Sequence, residues 1–232
     1  MKKSLLTKSV MAAGIFGLSI AANTATASFG DVKFYAGAGL DYNTYRISQA
    51  AKEQFNVSNK ANGMGLAVPV IGLKFHENFG LEMGYSFNKK FKFEGQSTSG
   101  VNQRKDTTNF KVKNMYVDLM GFMPLIDSFD LIGGIGLGRL TTKSDNIDVT
   151  IGANKGTLPL TVKNKTSWRV KLGTQYNCTA NLAFRALATY QNAGSKYQVG
   201  AGNIGALAYT AGQEKKLVKN MKSIGLSAIY TF

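Results

Sequence analysis

Ser223-Ile-Gly-Leu-Ser-Ala-Ile-Tyr-Thr-Phe232 closes the chain. Counting back by twos from the end gives Phe232, Tyr230, Ala228, Leu226 and Ile224, all apolar or aromatic. The other parity holds Thr231, Ser227, Gly225 and Ser223, interrupted only by Ile229. Side chains of an extended strand alternate between two faces, so this stretch has one apolar and one polar face. A strand ending on an exposed Phe suits an apolar solvent outside and a polar one inside, as in a transmembrane β-barrel. An ordinary amphipathic edge strand has the same alternation, so the rest of the chain must decide.

The opening residues favour the barrel. Met1-Lys2-Lys3 and Lys8 form a basic start, Val10–Ala22 is apolar, and Ala25-Thr26-Ala27 is an A-x-A site. This order predicts a signal peptide over residues 1–27, cleaved after Ala27, and a mature domain over 28–232. The apolar run is too short to span a bilayer as a helix, and no later run of about 18 apolar residues exists. Removing the three lysines of the signal leaves 25 basic against 13 acidic residues, about +12. The single Cys178 excludes an internal disulfide.

Alternation recurs along the mature chain. Strands are predicted near 32–47, 64–75, 79–87, 110–123, 129–142, 166–176, 182–191 and 223–232. In the third, Phe79, Leu81, Met83, Tyr85 and Phe87 alternate with Gly80, Glu82, Gly84 and Ser86. Short turns fall near 76–78, 124–128 and 177–181, and long loops near 48–63, 88–109, 143–165 and 193–216. The expected fold is all-β: an eight-stranded antiparallel transmembrane β-barrel with short periplasmic turns and four long extracellular loops. A soluble eight-stranded barrel would place apolar residues inside. Here the inward parity carries Lys33, Asp41, Lys74, Glu82, Asp118, Arg169, Lys171 and Arg185.

Two strands resist assignment of their faces. The second is nearly all apolar and contains Pro69, which suggests a bulge and a shifted register. The fifth carries Gly133, Gly134, Gly136 and Gly138, and its outward parity includes Arg139, tolerable only near the rim.

The barrel interior is predicted to hold a structural charge network of Glu82, Asp118, Arg169, Lys171 and Arg185, because an eight-stranded barrel is filled by its own side chains. No cofactor or metal site is expected. His76, the only histidine, falls in a periplasmic turn, the wrong end for a Ser/His/Asp triad at the outer rim. Gly133–Gly138 is similar to a phosphate-binding run but lacks the following helix and Lys-Ser/Thr. An enzyme is therefore not expected.

The loops are basic, with net charges of +1, +3, +2 and +2 over 48–62, 88–109, 143–165 and 193–216. The candidate binding residues are Lys89, Lys90, Lys92, Arg104 and Lys105 in the most basic loop. Such a surface attracts polyanions: lipopolysaccharide at the rim, or host-cell proteins and glycans. Nucleic acid is not expected outside a cell.

The signal segment, Gly72–Glu82, Gly133–Gly138 and the ending Ala228–Phe232 together resemble the small eight-stranded outer-membrane barrel family, which includes the OmpA transmembrane domain, OmpX and the opacity-type surface proteins. The Lys- and Asn-rich loops are similar to those of adhesins from rickettsial-type intracellular bacteria. The resemblance implies a monomeric, porin-family surface antigen or adhesin of a Gram-negative cell outer membrane that attaches to host-cell surface proteins. It implies no peptidoglycan-binding domain after Phe232. The alternative is a small porin-like or structural barrel with no specific ligand.

Overall fold

The computed structural model describes residues 32–55, 60–88, 91–99 and 102–232. The expected signal segment over 1–27 lies outside them. Eight long antiparallel strands form a ring. They are β1 (Lys33–Ile47), β2 (Lys60–His76), β3 (Phe79–Asn88), β5 (Asn102–Ile126), β6 (Phe129–Ser144), β10 (Thr166–Asn177), β11 (Leu182–Gln191) and β16 (Val218–Thr231). β4 (Phe91–Ser99) and the short strands β7 (Ile147–Ile151), β8 (Asn154–Leu158), β9 (Leu160–Lys163), β12 (Lys196–Val199), β13 (Gly202–Ile204), β14 (Leu207–Tyr209) and β15 (Lys215–Lys216) fill the long connections.

Each ring strand pairs on both sides, in the order β5-β3-β2-β1-β16-β11-β10-β6, and β6 closes back on β5. Closure leaves no free edge, which a sheet in hydrocarbon requires. The C-terminal strand seals the ring: Tyr35 pairs with Thr231, and register holds to Arg46↔Asn220.

The alternation reads out as expected. Leu40, Tyr42, Met83, Leu119, Leu172, Ile224, Leu226 and Tyr230 are exposed on the outside. Ile229, the residue that breaks the terminal alternation, points inward and packs with Tyr35, Ala67 and Val70. Aromatic pairs lie at both ends of this band: Trp168–Tyr190 at one, Phe129–Tyr176 and Tyr230–Phe232 at the other. Eight residues separate Trp168 from Tyr176, about 27 Å along a strand. After allowing for strand tilt, that suits an apolar band about 25 Å tall.

The structure settles the two ambiguous strands. In β2 the inward residues are Gly65 and Ala67 before Pro69, but Val70 and Gly72 after it. Val68 and Pro69 together stand opposite one residue on each side, Ala38 of β1 and Tyr85 of β3, so the strand has one extra residue and the register shifts there against both neighbours. The bulge flips the parity, which is why no single periodicity fits the strand. In β6, Ile135, Leu137 and Arg139 face outward, with Arg139 opposite Met115 and Thr166 towards the rim. Lys33 lies on the inward parity but is exposed, because it is the first residue of its strand.

The long connections are folded, unlike the polar loops expected of them. The sheet of the barrel continues beyond the ring: β7 pairs with the outer part of β5, β8 with β7, β13 with β8 and β14 with β13. β9, β12 and β15 form a second small sheet. A short helix α1 (Gln49–Phe55) is N-capped by Ser48, whose hydroxyl accepts from the Ala51 N–H at 3.1 Å and donates to the Lys216 carbonyl. These elements enclose an apolar core of Tyr45, Phe110, Leu140, Ile147, Leu158, Tyr197, Ile204 and Met221 with their neighbours. The barrel therefore carries a cap with a water-type core.

Candidate functional site

Two groups of charged residues can do chemistry: one sealed inside the barrel, one displayed on the cap.

Inside, Glu82 from β3 accepts hydrogen bonds from Lys171 Nζ at 2.7 Å, Arg185 Nη1 at 2.6 Å and the Tyr35 hydroxyl at 3.1 Å. Lys171 also lies 2.6 Å from Asp118, and Arg169 lies 3.2 Å from the same carboxylate. All five predicted network residues meet here, none more than 5% exposed. They come from β3, β5, β10 and β11, so their bonds cross the lumen. The Tyr116 ring lies 3.8 Å from the Arg169 guanidinium and 4.6 Å from the Lys171 ammonium. Arg185 also donates to Gln175 at 2.6 Å, and Gln175 to Asp130 at 3.1 Å.

Local sequence explains the crowding. A Cβ on Gly72 would overlap the Tyr35 ring, one on Gly84 the Tyr116 ring, and one on Gly136 Asp118. Glycine at these inward positions leaves room for the large side chains of neighbouring strands. A second polar layer sits beside the charges, where Asn114 donates to Gln191 at 2.8 Å. A cavity of about 40 Å³ remains, lined partly by Asp41, Asn43 and Glu82. It has room for a few water molecules. Met120, Phe122 and Ile132 pack on one side of the network and the cap core closes the other.

On the cap, strand pairing sets Lys163 of β9 opposite Lys196 of β12, and Lys196 opposite Lys216 of β15. Three lysines thus stand side by side. Like charges directly opposite on a sheet oppose pairing. A single carboxylate, Glu214, lies 2.8 Å from both Lys163 and Lys196. Their hydrogen bonds hold its carboxyl down at about 2.

Of the predicted loop residues, Lys89 and Lys90 lie outside the described residues. The backbones of Lys92 and Arg104 lie in the β4–β5 hairpin. Lys105 is exposed, paired with Gln96 and Thr150. The lysine row was not legible, because its members are 20 or more residues apart and their strands are only two to four residues long.

No chemistry gathers round the other reactive residues. His76 is exposed and its Nδ1 accepts from the Asn78 N–H at 3.1 Å. Cys178 is exposed and free. Among the described residues no cluster of His, Cys, Asp and Glu could hold a metal ion.

Residues 10–232 match the family model described as the outer membrane protein beta-barrel domain. The chain belongs to this family. Its place is the cell outer membrane. It resembles OprG from Pseudomonas aeruginosa at 15% identity and a TM-score of 0.52, over 87% of this chain and 95% of that one. It also resembles the outer membrane protein AlkL at 15% identity and a TM-score of 0.50, over 86% and 90%. At this identity the likeness shows the fold alone. No curated protein matches the chain significantly.

Proposed function

We propose that this barrel is a surface protein, not an enzyme, whose cap attaches the cell to polyanionic surfaces, those of host cells included. The observation that carries this reading is the Lys163–Lys196–Lys216 row. A row of like charges weakens the sheet that bears it, and a bound polyanion relieves the repulsion. Glu214 offsets one charge and orients two of the ammonium groups. The basic hairpin around Lys105 supplies a second patch of the same sign.

The interior supports attachment over conduction. Its charges are paired with one another and packed between two apolar layers, so they serve the fold. A monomer, with residues 1–27 removed on export, suffices for this role.

The test is binding of the refolded protein to immobilised heparin across a salt gradient. The triple variant Lys163→Gln, Lys196→Gln, Lys216→Gln and a version lacking residues 89–105 are run beside it. The triple variant should elute at clearly lower salt. Equal elution of all three proteins would reject the reading.

A further inference from the structure

The outer wall of the ring is not uniform. Over β1, β16, β11 and β10 it carries a groove of about 980 Å³. Its upper edge is basic: Arg46 of β1, Lys222 of β16 and Lys52 of α1 line it. Strand register fixes the levels. Arg46 sits beside Asn220; one row lower Thr44, Lys222 and Tyr190 stand abreast; one row lower still come Tyr42, Ile224 and Ala188. Rows are about 7 Å apart along a strand. Below the cations the lining is apolar, with Ile224 and Leu172 at 67% and 60% exposed flanking the small Ala188. The lining contains no carboxylate.

The depression continues downward. A second hollow of about 490 Å³ lies on the same four strands, with Ala38, Ala186 and Ala228 between Leu40, Leu226 and Phe184. The wall therefore offers three cations at the cap end and an apolar trough running from them toward the opposite rim.

A ligand that matches must be anionic at the outer rim and hydrocarbon below it. We propose that this groove binds one molecule of the phosphorylated, multiply acylated glycolipid of the outer leaflet. Arg46 and Lys222 hold a phosphate, with Lys52 closing over it from α1, and one acyl chain lies in the alanine-floored trough. Cations at a membrane interface draw anionic headgroups in any case. What distinguishes this wall is the trough beneath them, which aligns a chain with its own headgroup. The proposal rests on the orientation of the barrel in the outer membrane and not on the polyanion reading of the cap.

The test is native mass spectrometry of the refolded full chain released from vesicles containing bis-phosphorylated lipid A. The Arg46→Ala/Lys222→Ala variant is compared with Lys113→Ala/Arg139→Ala, which removes two exposed cations from another part of the rim. Ala188→Trp fills the trough and leaves every cation in place. Heat-modifiable gel mobility reports folding, and heparin elution reports the cap separately.

The expected result is one lipid A per chain for the wild type and the Lys113/Arg139 variant. Retention should fall at least tenfold for Arg46/Lys222 and for Ala188→Trp. Equal loss in both charge variants would mean an unspecific basic belt and would overturn the site. So would equal retention in all, or equal retention of lipid A stripped of its phosphates. If Arg46→Ala/Lys222→Ala does not fold, Ala188→Trp decides: full retention rejects the proposal.

Discussion

Replacing Glu82 by Gln should cost more than replacing Lys171 by Met, although the two side chains share a 2.7 Å bond. The network holds three cations, Arg169, Lys171 and Arg185, and two carboxylates, Glu82 and Asp118. Removing Glu82 leaves three buried cations around one carboxylate, and Arg185 and Tyr35 lose their carboxylate partner. Breaking a buried pair in this way costs about 3–5 kcal/mol. Removing Lys171 leaves two of each sign, still matched as Glu82–Arg185 at 2.6 Å and Asp118–Arg169 at 3.2 Å. The lost bonds are offset by one fewer desolvated charge, so we expect below about 2 kcal/mol. The assay is equilibrium urea unfolding in phosphocholine vesicles, followed by the fluorescence of Trp168. That residue is the only tryptophan and is 47% exposed on the outer face. A Lys171→Met cost equal to or above that of Glu82→Gln would refute the charge-balance argument.

Other perturbations read other parts of the molecule. Gly84→Ala should destabilise by about 1–3 kcal/mol in the same assay, because the new methyl overlaps the Tyr116 ring that stacks on Arg169. Glu214→Gln should raise heparin affinity by unmasking Lys163 and Lys196. Since that carboxyl is held down at about 2, its contribution is fully present above its ordinary value near 4.5 and lost only as pH falls through about 2. Wild-type elution should therefore not change through this group between pH 8 and pH 5. Leu158→Asp should open the cap, whose core buries that side chain completely, to protease while the ring keeps its heat-modifiable mobility. Planar bilayers containing the protein should stay silent; steady single-channel steps would show that the packed interior opens.

How much was legible depended on run length. The third, sixth and terminal strands gave nine or more residues with a readable alternation, long enough for a period of two to stand above chance. The terminal strand read correctly even at Ile229, once an apolar layer inside the barrel accounts for it. The network was legible too, since charges like these five, on the inward parity away from the strand ends, are buried and need partners. The second strand failed for a definite reason: the Val68-Pro69 bulge adds a residue and reverses the parity midway. The cap failed differently. Ile147, Val149 and Ile151 alternate, and so do Tyr197 and Val199, but such runs are too short to separate from polar loop. The pairings of β7 with β5 and of β12 with β9 and β15 join residues 18 or more positions apart in the chain, so local pattern carries no trace of them.

Barrel and cap answer to different solvents, and this divides their tasks. Leu172 or Ile224 on the outer wall gains nothing by burial in protein, because hydrocarbon already surrounds it. The ring is held by its closed ladder and by lumenal bonds such as Glu82–Arg185. Beyond the membrane that arrangement stops working, since water competes for every exposed ladder bond. There the chain reverts to the soluble rule and buries Phe110, Leu140, Leu158 and Tyr197 together. The reversal occurs within single strands: in β5 the inward residues change from Asp118 and Asn114 to Val112 and Phe110. One strand thus transmits the rigidity of the ring directly into the cap. The lysine row lies on the second small sheet, whose Leu160, Tyr197 and Val199 are buried in that same core, so it keeps its spacing where a free loop would not, and fixed spacing lets three modest charges act on a polyanion as one site.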